Sequence, residues 1–274
     1  MLVTTKKILL DAKRGGYGVG AFNTSDLEIT KAIIAAAVKL NSPVIVQVSG
    51  KAIAYAGLEN IADIIKNEAK KAPVPVALHL DHGADLKIVS DCIEEGFTSV
   101  MFDGSHLTLL ENEILTAKAA EMAHRAKIVC EGELGCIGNS KNEAEFTDAK
   151  LVRDFVKKTK VDSLAVSIGS RHGTKIQNLN IDLLKIIRQK TDIPLVLHGA
   201  SGIPDEEVKK AIKYGICKVN IDTDIRHTFS DVIHNINKKY ASLSDPREIM
   251  QKVMVEIQKV VEEKIKLFGS ENKG

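Results

Sequence analysis

Three histidines stand immediately before a glycine: His82 in LHLDHG, His172 in SRHGTK and His198 in LHGASG. Neutral imidazoles brought together from three loops, with one coordination position left open, are the ligand set of a catalytic zinc. A following glycine lets the backbone approach a ligand closely. Asp81 directly precedes His82. A carboxylate beside a metal ligand serves as a general acid and base, or as an acceptor that orients the histidine. Glu131 and Glu133 in CEGELG alternate and so share one face of a strand, one layer apart. Glu133, nearer the strand's end, is the better ligand, and Asp103 in FDGSH is a further carboxylate candidate. His79, inside an apolar run, reads as a buried, hydrogen-bonded support for the others.

A second chemistry collects further along. HGASGIPDEE passes through glycines into a helix, so that N–H groups around Gly199, Ala200 and Ser201 can cradle a phosphate, with the Ser201 hydroxyl beside them. NIDTD, holding Asn220, Ile221, Asp222 and Thr223, opens the next helical stretch in the same way. Lys175, three residues after His172, can add a charge-assisted contact.

What must position these residues is a regular alternation. Eight short, apolar, β-branched runs recur: Gly16–Phe22, Pro43–Val48, Val74–Leu80, Thr98–Phe102, Ala126–Glu131, Val161–Ile168, Ile193–His198 and Cys217–Ile221. Continuous apolar character is how strands covered on both faces read. Helical patterns lie between them, over Leu27–Leu40, Leu58–Lys71, Asp85–Gly96, Leu109–Ala126, Asp148–Thr159, Asp182–Thr191 and Pro204–Gly215. Eight strands with helical crossovers close most economically as an α/β (β/α)8 TIM barrel, with an open doubly wound sheet as the runner-up. The expectation is one domain over residues 1–274, with a helical tail from about Ile225. In such a barrel the active residues sit where strands end. Those ends read Asn23, Ser49, Asp81 with His82, Asp103, Glu133, Ser170 to His172, His198, and Asn220 with Asp222. Lys127 and Lys218 are the only lysines in the eight runs. Both stand toward a strand's start, away from the active face, which disfavours a Schiff-base mechanism.

Composition narrows the partners. Thirty-eight Lys and Arg face 36 Asp and Glu, a net charge of +2 over 274 residues. That excludes a general nucleic-acid binder, which relies on a basic surplus. The first sixteen residues, MLVTTKKILLDAKRGG, carry only a very short apolar run and no cleavage-site pattern. No apolar run approaches the ~18 residues of a membrane span. Four cysteines form no CxxC pair. The chain therefore reads as cytoplasmic, with reduced thiols and no membrane partner.

The segments LHLDHG, GFTSVMFDGSH, EGELGCIG, PLVLHGASGIP and KVNIDTD, with YGVGAFN, SPVIVQVS and DPRE, together resemble the class II, zinc-dependent fructose-bisphosphate aldolases and their ketose-bisphosphate relatives. The likeness runs through essentially the whole chain. It implies an eight-fold barrel, a homodimer or homotetramer, and reversible cleavage of fructose 1,6-bisphosphate to dihydroxyacetone phosphate and glyceraldehyde 3-phosphate, a step of glycolysis and gluconeogenesis. It implies Zn2+ on His82, His172 and His198, and Asp81 as the acid and base. Asp103 and Glu133 match the carboxylates of a second divalent position. Asn23, Ser49, Gly173, Gly199 to Ser201 and Asn220 to Thr223 match contacts to the phosphorylated ketose. A monovalent cation, Na+ or K+, would be held by carbonyls near Arg171, Gly173 and Gly199.

Two stretches depart from the family pattern. Where the mobile loop usually carries an acidic run, this chain has GNSKNEAEF, with Lys141 at the place of the proton-handling glutamate and Glu143 and Glu145 as substitutes. The loop after His172 is one residue shorter than the usual pattern, so Lys175 is an approximate match. Tagatose 1,6-bisphosphate is the alternative sugar. From other classes, the alternatives are a metal-dependent hydrolase of a phosphorylated compound and a barrel that binds sugar phosphate without turnover.

Overall fold

The structure, a computed structural model, describes residues 1–138, 145–171, 173, 178–239 and 243–274, without the side chains of 237–239. Its strands are β1 (Val19–Asn23), β2 (Val44–Ser49), β3 (Val76–Gly83), β4 (Ser99–Phe102), β5 (Val129–Leu134), β6 (Ser163–Val166), β7 (Leu195–Leu197) and β8 (Ile216–Ile221). Each pairs in parallel with its sequence neighbour, and β8 returns to β1, so the sheet closes into a barrel in chain order. This is the α/β TIM barrel expected from the alternation, and the open-sheet alternative falls.

Helices cover the outside: α2 (Leu27–Lys39), α3 (Gly50–Ala56), α4 (Leu58–Lys71), α5 (Leu86–Glu94), α6 (Leu109–Arg125), α7 (Val152–Thr159), α8 (Ile181–Lys190) and α9 (Asp205–Lys213). Their starts are chemically specified. Asp26, Asp85 and Asn180 each accept an N–H from the first turn, of Ile29, Ile88 and Leu183 respectively. Thr108 and Glu111 form a reciprocal capping box on α6. The outward faces of the strands, among them Val46, Leu78, Val100, Leu164, Leu197 and Val219, pack with the inner faces of these helices into the main core.

Two elements lie outside that alternation. Helix α1 (Thr5–Gly15) was not expected from the sequence. It buries Ile8, Leu9 and Ala12 against Val19, Ala21, Ile45 and Ala77, the inward residues at the lower ends of the strands. It therefore plugs the foot of the barrel, where a short apolar run suffices because only one layer of side chains needs covering. The tail forms α10 (Thr223–Lys239) and α11 (Pro246–Phe268). Pro246 at the first turn of α11 and Asp245 as its cap explain the restart. Val253, Ile257, Val261, Ile265 and Phe268 of α11 are buried.

Several strands run past their apolar stretch. β3 continues through Asp81 and His82 to Gly83, and β5 continues through Glu133 to Leu134. Asp81 and Glu133 still hold ladder positions, opposite Ser49 and Ala165, but their side chains face the lumen rather than a hydrophobic layer. Apolar continuity therefore underestimates strand length where a strand enters the site.

Candidate active site at the barrel mouth

The inward positions of the strands build the site layer by layer. Asn23 on β1, Gln47 on β2, Asp81 on β3, Glu133 on β5 and Asn220 on β8 meet at the upper end of the lumen, with His198 just past β7. Asp81 is the centre of this cluster. Asn23 Nδ2 donates to Asp81 Oδ2 at 2.8 Å, and Asn220 Nδ2 donates to Asp81 Oδ1 at 3.1 Å. Gln47 Nε2 donates to Asn23 Oδ1 at 2.6 Å, fixing which way that amide points. Burial alone would raise the Asp81 carboxyl. The charges of His82, His198 and Lys218 and the Asn23 bond outweigh it and hold the group down at about 2. Asp81 is thus ionised and oriented at neutral pH.

His82 sits in a left-handed backbone conformation, φ +51°. For a residue with a Cβ this costs roughly 1–2 kcal/mol. The β3–β4 register shifts between Leu80 and Gly83, so the strand is kinked where the imidazole must turn toward the mouth. Asp103 Oδ2 lies 2.6 Å from His82 Nδ1, and His198 Nδ1 lies 2.9 Å from His82 Nε2. Burial opposes charge on His82, but Asp81, Asp103 and Glu133 around it push the imidazole up to about 10. Glu133 shows the opposite balance. Burial and the neighbouring Asp103 charge push its carboxyl up to about 8.

Among the described residues, two overlapping groups have the reach to hold a cation. Asp81, His82 and His198 form one, and His82, Asp103 and Glu133 form the other, with the ligand atoms of each lying within 4.8 Å of one another. Nitrogen and carboxylate donors in this number suit zinc or a similar divalent ion. The site also carries unmet polar capacity. Among the described residues, the buried side-chain atoms with no hydrogen-bond partner are Gln47 Oε1, Glu133 Oε2, Ser170 Oγ and Asn220 Oδ1. Gln47, Glu133 and Asn220 stand on strands at the mouth, and Ser170 lies in the loop after β6. Buried oxygens of this kind are seldom left unmatched, so the residues fit a cation and a polar ligand.

The remaining expected site residues fall as follows. His172, Lys175, Lys141 and Glu143 lie outside the described residues. Gly173 and Gly199 take left-handed φ angles of +72° and +62°, which a side chain would strain. Gly83 has a different reason: a Cβ there would stand 2.4 Å from the Met101 carbonyl, so it is needed for packing between β3 and β4 and not for approach to a ligand. Ser201 Oγ accepts the Asp224 N–H at 3.3 Å, tying the β7 loop to the start of α10. Ser49 Oγ accepts the Ala52 N–H at 3.4 Å and caps α3. The Ala200 N–H is bonded to the Asn220 carbonyl, and the Ala200 and Ile221 side chains are buried in the main core. Neither residue offers a side chain to a ligand. Asp222 pairs with Arg226 at 3.0 Å, and Asp103 serves His82 directly. Glu145 is pinned through its backbone to Cys136, and its side chain is exposed.

Sequence reasoning passed over Gln47 and misplaced Lys218. Gln47 is the one polar residue within the run PVIVQV. That interruption of an apolar strand was the available signal. Lys218 is not remote from the active face: its Nζ lies in the lumen, 2.8 Å from Glu131 Oε2, one layer below the mouth. Position along a strand measures height, and its inward direction is what brings it to the axis.

The family model for class-II fructose-bisphosphate aldolase matches residues 3–273. This chain belongs to that family. Among solved structures, the YdjI aldolase of Escherichia coli K12 is 33% identical, with a TM-score of 0.91 over 100% of this chain and 99% of that one. A putative fructose-1,6-bisphosphate aldolase of Coccidioides immitis is 28% identical, with a TM-score of 0.90 over 97% and 96% of the two chains. The fructose-bisphosphate aldolase of Campylobacter jejuni is 27% identical, with a TM-score of 0.87 over 100% and 97%. As a class-II aldolase the chain is a lyase, of a family that is generally metal-dependent and acts on phosphorylated sugars. The hydrolase reading therefore falls. Among the described residues, no helix is long and apolar enough to cross a membrane.

Proposed function

We propose that this chain catalyses the reversible, zinc-dependent aldol cleavage of fructose 1,6-bisphosphate to dihydroxyacetone phosphate and glyceraldehyde 3-phosphate. The observation that carries the reading is the doubly hydrogen-bonded Asp81 carboxylate set beside His82 and His198 at the barrel mouth. His82 and His198 of the described residues, joined by His172, would hold the metal, with Asp103 and Glu133 flanking a second position. A divalent ion there supplies Lewis acidity to the ketone oxygen of the substrate.

Asp81 accepts the proton of the C4 hydroxyl as the C3–C4 bond breaks. The electron pair stays on C3, and the aldehyde half departs with its own phosphate. In the condensing direction Asp81 returns that proton. The proton that C3 gains is assigned to Glu143 or Glu145 of the loop after β5. Asn23 and Asn220 hold Asp81 in the orientation the transfer needs. Glycines 173 and 199, Ser201 and the start of α10 are proposed to hold phosphate, together with Lys175, Asp222 and Thr223. A monovalent cation near Gly173 and Gly199, a cytoplasmic location and a homodimer or homotetramer complete the proposal on the family likeness.

A coupled triose-phosphate assay tests it. Cleavage of fructose 1,6-bisphosphate should disappear on chelation and return with Zn2+. Cleavage that survives exhaustive chelation would remove the metal mechanism, and tagatose 1,6-bisphosphate as the sole substrate would reassign the sugar.

A further inference from the structure

Below the mouth, the lumen holds three titratable side chains that the aldol step does not use: Lys218, Glu131 and His79. Their side chains are no more than 2% exposed. They form one continuous line of contacts along the barrel axis. Thr5 Oγ1, from the helix that plugs the foot, donates to Ser99 Oγ at 3.1 Å, and Ser99 Oγ meets His79 Nδ1 at 2.8 Å. Lys218 Nζ lies 3.0 Å from His79 Nε2 and 2.8 Å from Glu131 Oε2. The other carboxylate oxygen, Glu131 Oε1, lies 2.8 Å from His198 Nε2.

The direction of each bond follows from the donor inventory. Lys218 carries hydrogens and no lone pair, so it donates to both His79 Nε2 and Glu131. His79 then carries its hydrogen on Nδ1 and donates it to Ser99. Glu131 can only accept, so His198 carries its hydrogen on Nε2. The His198 nitrogen that bears the lone pair is then Nδ1, and Nδ1 is the atom that faces His82 Nε2 and Asn220 Nδ2 at the mouth. A buried carboxylate keeps one orientation only when its charge is matched and both oxygens are engaged. Lys218 supplies the cation and engages the second oxygen.

We infer that Lys218 is a positioning residue for the metal: by holding Glu131 it fixes the His198 tautomer that turns Nδ1 into the candidate cation site. The inference rests on the metal-dependent reading above. It gives this lumen lysine a task, and it explains why a cation stands in the lumen where apolar side chains would fill the same space.

Competition against a fluorescent chelator measures the zinc affinity of the full-length protein and of Lys218→Met and Lys218→Met/Glu131→Leu. Thermal unfolding follows their folding, and 15N-histidine NMR of the metal-free proteins reads the His198 tautomer. Zinc affinity should fall about 10- to 100-fold in Lys218→Met, as for other partners of metal ligands. The double variant replaces the buried ion pair with apolar bulk, so its melting temperature should recover while its zinc affinity stays low. The wild type should show His198 as the Nε2–H form, and Lys218→Met should show a mixture. Wild-type zinc affinity in Lys218→Met, recovery of affinity along with stability in the double variant, or unchanged His198 resonances would each overturn the inference. A wild type that binds no zinc would instead bring down the functional reading itself, and this inference with it.

Discussion

At the residue scale, the site is a set of side chains whose neighbours decide their protonation. Asp81 and Glu133 are carboxyls within one mouth, yet one is held at about 2 and the other pushed up to about 8. The difference lies in company: Asp81 has two amide donors and the His82 charge, while Glu133 has the Asp103 charge and an unmatched oxygen. Asp81→Asn keeps the shape and removes the proton acceptor. Turnover should fall by a factor on the order of 10²–10⁴, with zinc affinity within a few-fold of wild type. Retention of a tenth of the wild-type rate would argue against Asp81 as the base. His82 titrates at about 10 in the metal-free protein, so near neutral pH it carries a proton that a metal must displace. Zinc binding should accordingly release about one proton from this group. Calorimetry in buffers of different ionisation enthalpy measures it, and an affinity that does not rise with pH below 10 contradicts it.

At the scale of elements, the strand ends carry the chemistry, and the sequence marked most of them. Reading the polar residues at and just past the ends of the apolar runs located Asn23, Asp81, His82, Glu133, His198 and Asn220, because a covered strand becomes polar where it leaves the helical jacket. The same rule could not find α1, which precedes the first apolar run, or the true ends of β3 and β5, where polar residues remain inside the sheet. The kink in β3 is the element-level device that aims His82. A methyl at Gly83 would press on the Met101 carbonyl of β4. Gly83→Ala should therefore cost about 1–3 kcal/mol in urea unfolding and weaken zinc binding through His82. A loss under about 0.5 kcal/mol would show that the two strands part without strain.

Across the whole molecule, closure of the sheet is what turns residues from distant strands into one site. His82 and His198 stand 116 positions apart in the chain, yet their ring nitrogens lie 2.9 Å apart. The tail helps hold that closure. Phe268, at the end of α11, is buried in the main core, and its carbonyl accepts the Gly18 N–H at 2.9 Å, just before β1. Phe268→Ala should cost about 3–5 kcal/mol of stability. Unfolding measured on the metal-free protein separates this from metal linkage, and a cost below about 1 kcal/mol would mean the tail is dispensable to the barrel. The alternation of apolar runs and helical stretches determined the architecture by itself, because burial on both faces of a parallel strand leaves a periodic signature that needs no partner to be read. The residue types at the strand ends likewise pointed to a candidate site for metal and phosphate. Only the tertiary structure decided how those groups act on one another. Hydrogen-bond direction, charge matching and inward or outward facing depend on atoms brought together from distant strands. That is why Gln47 emerged as the residue that aims Asn23, and Lys218 as the cation beneath His198.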